Sequence, residues 1–496
     1  MKHFDTAIIG GGIGGLMCAY RLCTQAPGMS VVLFEKGHDI EKRACPIVAG
    51  KAGHCIKCPS CAIMEGLAGA GAFSDGKYVI STEYGGWLPE FLKPEAVLDY
   101  IEQADDILQH FGAPAERFMP SDELKKKCLA FDLHMSQAQL KHLGTDANFD
   151  TMRKMAQFLK GHVTILTDTN VTDVEKASHT VHYENAAGNG QLSAAHIVWA
   201  VGRSGSRYFS QWCAQNGIPL QNNQVDIGVR VELPSILWED FSKKIYEPKI
   251  WYRSKQYGDV TRMFCFNERG HVVVENTAGV LTVNGHAYVD EAKKSQNSNF
   301  ALLSTIRFTE PFKEPIEYAR SVAGLANLIS GGSVLVQRLG DLLAGRRTDA
   351  KRLAQSTVRP TLNAVPGDLS LCLPKRQLDN IVETLAALDK IAPGTNIIPQ
   401  GPHVKTLLWM AASISMPWAT AQASHARSAR LQHTACMWQT KFFGKAEDSL
   451  PGSEIKRRKC AASAGHKLLK RLADAKASVS NKRFGAPDTF KKARRS

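Results

Sequence analysis

The stretch from Asp5 to Glu35 constrains the fold more than any other part of the chain. Asp5-Thr6-Ala7-Ile8-Ile9 reads as a short buried strand and runs straight into Gly10-Gly11-Gly12-Ile13-Gly14-Gly15. Leu16 to Gln25 reads as a helix, and Ser30 to Phe34 as a second apolar strand closed by Glu35. A strand, a G-x-G-x-x-G turn, a helix and a strand ending in an acid 20 residues after the last glycine suit a dinucleotide. Gly10 makes the tight turn, Gly12 lets the backbone approach a pyrophosphate, and Gly15 lets helix and strand pack closely. The helix N-terminus offers N–H groups to the phosphates, and Glu35 can accept from ribose hydroxyls.

At 496 residues the chain is long enough for two or three domains with sizeable cores. No run of 18 or more apolar residues appears, so no membrane-spanning helix is expected. The first strand begins within a few residues of Met1, which leaves no room for a cleaved leader. Twelve cysteines without such a leader suggest reduced thiols or metal and redox roles, and a cytoplasmic location. The charge is uneven: Ala446 to Ser496 carries 14 Lys+Arg against 5 Asp+Glu, so +9 of the formal +14 belongs to that segment. A basic nucleic-acid face on the main body is therefore not expected.

Between Tyr100 and Gly161 the pattern is mostly helical, with Pro114 and Pro120 as breaks. His162 to Ile197 reads as a meander of short strands that leads into Val198-Trp199-Ala200-Val201-Gly202-Arg203. Strands are expected at Val225 to Val231, Met263 to Phe266 and Val272 to Glu275. Helices are expected around Ala301-Leu302-Leu303, Tyr318 to Leu328 and Gln377 to Leu388. No second fingerprint with strand and acid occurs, which argues against a built-in NAD(P)H domain.

Several further motifs carry a resemblance. They are Phe34-Glu35-Lys36-Gly37, Arg43-Ala44-Cys45-Pro46, the run Cys55, Cys58, Cys61, and Gly66-Leu67-Ala68-Gly69-Ala70-Gly71-Ala72-Phe73-Ser74-Asp75-Gly76-Lys77. After them come Ala200 to Gly205, Asp226-Ile227-Gly228-Val229-Arg230, Asn299 to Leu303, Val336 to Asp341 and Pro366-Gly367-Asp368. In this order, over roughly Asp5 to Pro402, the chain resembles bacterial-type FAD-dependent dehydrogenases of unassigned substrate, among the glutathione-reductase-type flavoproteins. The resemblance implies an α/β fold: a discontinuous Rossmann-type FAD domain with an inserted mixed α+β substrate domain. The expected parts are 1–205 (FAD domain), 206–391 (substrate or cap domain), 392–445 (a degenerate return to the FAD domain) and 446–496 (a basic tail expected to be disordered). It also implies FAD-dependent oxidation of a small molecule, for which a separate electron donor or acceptor is one option; hydropathy and charge lead to no expected membrane partner and no nucleic acid on the folded body. The implied cofactor contacts are Gly10, Gly12, Ile13, Gly14, Gly15, Glu35, Lys36, Arg43, Gly71, Ser74, Val171, Gly202 and Arg203.

Seven of the twelve residues from Gly66 to Lys77 are Gly or Ala, so this backbone can lie flat against a ring or phosphate. Asp75 and Lys77 are the candidate acid and base, and a plain Asp-Gly turn is the alternative. Cys45, Cys55, Cys58 and Cys61 put four thiols within seventeen residues. Three readings of them stay open: an iron–sulfur or other metal cluster, a redox dithiol, or free thiols in a loop.

Flavoproteins of this type end with a strand and a Gly-Asp-Gly turn that opens a last helix. After Gly401-Pro402-His403-Val404-Lys405, the stretch Thr406 to Trp418 reads as neither strand nor glycine turn. Read one base out of frame, Met416 to Pro417 forces Ala and Trp418 to Ala419 forces Gly; the steps between and after them allow Met, Asp, Gly, Ala, Gly, Ile, Thr and Arg. The expectation is therefore a frameshift near Lys405, an out-of-frame tail and an impaired enzyme. The alternatives are a catalytically inactive nucleotide-binding remnant, or RNA binding through Lys456-Arg457-Arg458-Lys459 and Lys491 to Arg495.

Overall fold

The computed structural model describes residues 1–82, 88–220, 224–308, 312, 314–396 and 406–413, with side chains omitted at 90 and 410–413. The described residues all fall in one compact unit. The hidden Gly-Asp-Gly reading at 416–426 and the basic segment 446–496 lie outside them.

The opening βαβ unit forms as its pattern requires. Strand β1 (Lys2–Ile9) is buried from Ala7 to Ile9, helix α1 (Ile13–Gln25) buries Leu16, Met17, Ala19 and Leu22, and strand β2 (Val31–Phe34) is buried throughout. β1 pairs parallel with β2, Thr6 opposite Val31 through Ile9 opposite Phe34. On its other edge β1 pairs parallel with Gly188–Trp199, Ile9 opposite Trp199. The strand Thr164–Leu166 extends the parallel set beyond β2. Thr180–Asn185 and Asn170–Glu175 complete a six-stranded sheet as an antiparallel meander. Helices α1, Pro94–His110 and Thr145–Lys160 cover one face; the other packs against the helix Gly202–Gln215 through Phe209, Trp212 and Cys213. The expected boundary at Gly205 therefore falls inside a helix that serves the first sheet.

The second sheet has eight strands in the order 365–366, 335–338, 407–413, 225–234, 297–306, 260–267, 250–253 and 133–135. Helices Pro315–Ile329 and Lys375–Leu388 cover one face, and the hairpin of His271–Thr277 with Val280–His286 packs on the other. Three expectations need correction. Ala301-Leu302-Leu303 lies in the strand Asn297–Ile306; it is buried on both faces, and an apolar run without alternation does not by itself separate strand from helix. The largely helical region Tyr100 to Gly161 also contributes two short strands, Leu133–Met135 and Gln139–His142. Leu407–Ser413 is a strand, and it pairs antiparallel with Val225–Pro234 and Leu335–Arg338 in the second sheet, not in the first. Leu407, Leu408 and Trp409 are fully buried there, and Trp409 Nε1 donates to Glu232 at 3.2 Å. No helix among the described residues is long and apolar enough to cross a membrane.

Candidate dinucleotide cleft

The turn after β1 meets the turn after Gly188–Trp199 at the carboxyl ends of two adjacent parallel strands that leave in different directions. That is where open α/β sheets bind ligands. Gly10 holds φ +108°, and a Cβ there would lie 2.3 Å from Ala200 O, so the two turns touch backbone to backbone. A Cβ on Gly15 would lie 2.0 Å from Gly10 O; this glycine serves helix–turn packing. Gly12 is different. A Cβ there would meet only Gly69 Cα, at 4.0 Å, so the side of Gly12 facing the cleft is open for a ligand.

Two helices begin at this cleft, α1 after Gly12 and Gly202–Gln215 after Val201. Neither has a side-chain cap or an acid in its first turn, so their free N–H groups and dipoles present positive potential to one space. The cleft is lined by Gly10, Gly12, Ile13, Gly14 and Glu35, by Met64 to Gly66 and Gly69 to Gly71, by Ala200 to Ser204, and by Asn276 and Thr277. Glu35 takes the N–H of Gly11 at 2.8 Å, of Gly37 at 2.9 Å and of Gly66 at 3.0 Å. A carboxylate has about four acceptor sites, so one is left for a ribose hydroxyl, while its charge repels a 2′-phosphate. The open side of Gly12, the paired helix ends and Glu35 fit the ADP part of a dinucleotide.

Gly71, Gly202 and Arg203 also line the cleft, while Lys36, Arg43, Ser74 and Val171 lie outside its lining. Lys36 pairs with Glu65 at 2.8 Å. Arg43 is buried and donates to the carbonyls of Ala62, Leu67, Gly69 and Ile63 at 2.8–3.0 Å, which fixes the loop that walls the cleft. Burial lowers its guanidinium to about 10, still cationic at neutral pH. Ser74 Oγ accepts from Gly76 N at 3.1 Å, and Val171 packs beside the core on the far face of the sheet.

Asp75 and Lys77 lie fully buried outside the cleft lining, 2.8 Å apart. Lys77 Nζ also donates to Asn267 Oδ1 at 3.0 Å and to Phe266 O. Burial alone would depress this amine, but Asp75, Cys265 and Glu247 hold it above its ordinary value. Among the described residues no three His, Cys, Asp or Glu groups are placed to hold a metal ion, and Cys45, Cys55, Cys58 and Cys61 are free and partly exposed. Nothing among the described residues favours the iron–sulfur reading. Asn276, Thr277 and Glu275, the partner of Arg203, were not foreseen; they come from a strand whose sequence shows only an apolar run.

Fold and cleft define a Rossmann-like dinucleotide-binding domain. Residues 8–44 match the family described as NAD(P)-binding Rossmann-like domain. No curated protein matches the chain. Matching solved structures include glycine oxidase from Geobacillus kaustophilus, 12% identical over 88% of this chain and 93% of that one, with a TM-score of 0.32. A flavoprotein/dehydrogenase from Cytophaga hutchinsonii is 14% identical over 66% and 61%, with a TM-score of 0.27. Dithionite-reduced L-alpha-glycerophosphate oxidase from Mycoplasma pneumoniae with FAD bound is 17% identical over 47% and 62%, with a TM-score of 0.28. The chain thus spans about three fifths of the length of the last two.

Proposed function

We propose that the protein is an FAD-dependent oxidoreductase acting on a small molecule. One observation carries the reading: two uncapped helix N-termini, the open side of Gly12 and the Glu35 carboxylate share one cleft. The glycine turn and α1 would hold the diphosphate through backbone N–H groups, and Glu35 would take a ribose hydroxyl. Arg203 adds a positive charge, and Gly66, Gly69, Ala70 and Gly71 of the Arg43-braced loop form a wall without bulky side chains. Bound flavin would supply the hydride-accepting chemistry, while the chain orients it and shields it from water. The choice of FAD over a nicotinamide dinucleotide rests on the resemblance, whose motifs at Gly66 to Gly71 and Gly202-Arg203 flank the cleft.

A second reading, nucleotide binding without turnover, draws on the place of Asp75 and Lys77 outside the cleft lining. An absorbance spectrum of the purified, desalted chain, followed by heat release of any chromophore, separates the two. Oxidised-flavin bands with released FAD are expected. A colourless protein that gains no flavin on reconstitution but binds ADP would establish the second reading instead.

A further inference from the structure

One ion pair joins the cleft lining to the strand behind it. Arg203, on the helix Gly202–Gln215, donates from Nη1 to Oε2 of Glu275, on the strand His271–Thr277, at 3.3 Å. Arg203 is poorly served by its surroundings. Its bond to Glu275 is long, Nη2 reaches only the Met64 sulfur at 3.9 Å, and the buried Nε has no hydrogen-bond partner among the described residues. A guanidinium offers five donors, so this one has capacity to spare for an anion in the cleft.

Glu275, by contrast, is firmly held. It is 3% exposed, and Asn284 Nδ2 donates to its Oε1 at 2.7 Å. Asn284 Oδ1 takes Arg230 Nη1 at 3.1 Å, and Arg230 is fixed by Asn299 Oδ1 and Cys265 O, each at 2.8 Å. Asn267 donates to Asn299 at 3.2 Å and accepts from Lys77 at 3.0 Å. A Cβ on Gly285 would lie 2.1 Å from Asn299 Oδ1 and 2.2 Å from Arg230 Nη2, so the backbone seals this network. Three motifs far apart in sequence, at Lys77, Arg230 and Asn299, thereby meet behind Glu275.

We propose that Glu275 is a competing carboxylate that sets how tightly the cleft binds a diphosphate, by holding Arg203, the residue that would select for one. It is a built-in carboxylate that holds Arg203 until a ligand with a stronger anion, a diphosphate, takes its place. A nucleoside without phosphates leaves the pair intact and gains nothing from Arg203, so Glu275 lowers affinity for a diphosphate and leaves affinity for the nucleoside unchanged. The inference rests on the nucleotide reading of the cleft.

Calorimetric titration of the full chain with ADP and with adenosine tests it. Glu275→Gln keeps the acceptor for Asn284 and releases Arg203, so ADP affinity rises about tenfold while adenosine affinity stays as it was. In an Arg203→Ala background the same change brings no gain. Glu275→Asp, which draws the carboxylate back from Arg203, gives a smaller gain and guards against misfolding of the first variant. A merely structural Glu275 would give weaker or unchanged ADP binding. An unchanged ADP affinity in Glu275→Gln, or a gain that survives loss of Arg203, overturns the proposal while the nucleotide reading stands. Failure of every variant and of the parent chain to bind ADP overturns both.

Discussion

His142 shows what single residues contribute at the junction of the two sheets. It ends the short strand Gln139–His142, its ring stacks on Tyr246 with centroids 3.9 Å apart, and its Nε2 lies 2.8 Å from Tyr246 Oη. Burial depresses its pKa to about 3; Asp75, 3.7 Å away, opposes the shift, and Lys77 and Lys294 reinforce it. Tyr246 and Cys265 in the same cluster hold positive φ, +57° and +49°, conformations that bulky residues adopt only when surrounding packing enforces them. The neutral imidazole is thus the native form. Its stabilising effect is complete above the unfolded value near 6.5 and is lost progressively as pH falls toward 3, at up to about 1.4 kcal/mol per pH unit. Urea midpoints measured from pH 7 to pH 4 should fall more steeply for the parent chain than for His142→Gln. Parallel curves would mean that the ring binds its proton equally well in the folded and unfolded chain.

At the scale of elements, the glycines of the first turn separate two roles that sequence alone merges. Gly12→Ala points a methyl group into open cleft, so thermal stability should hold while ADP affinity drops about tenfold or more. Gly15→Ala drives a methyl group into Gly10 O and should lower the melting temperature as well as binding. Thermal melts paired with ADP titrations check both; equal loss of stability in the two variants would contradict the assignment. The opening βαβ unit was legible because strand, turn, helix and acid are all local signals. The meander before Trp199 and the helices at Tyr318 to Leu328 and Gln377 to Leu388 were legible for the same reason, through their periodicity. Ala301-Leu302-Leu303 was not, since a strand buried on both faces loses its alternation. Nor was Glu275, because an acid closing an apolar run gives no sign of the arginine it meets 72 residues away.

The whole molecule depends on a strand that the sequence reading assigned to out-of-frame translation. Leu407–Ser413 lies between Val225–Pro234 and Leu335–Arg338, so it joins the two parts of the eight-stranded sheet. Its fit is specific. Trp409 is fully buried, and its indole is one of four donors to the buried Glu232 carboxylate, with Thr361 N, Thr361 Oγ and Asn297 Nδ2. A break in frame at Lys405 would have to produce that match by chance, which argues against a break before this strand. Truncation tests the strand's role. A chain ending at Lys405 loses the joining strand, opens two strand edges and exposes apolar core, and should be insoluble or melt without a cooperative transition. A chain ending at Lys445 keeps the strand and sheds the segment carrying +9 of the net charge, and should melt cooperatively and retain ADP binding. Cooperative melting of the Lys405 chain would show that Leu407–Ser413 is dispensable.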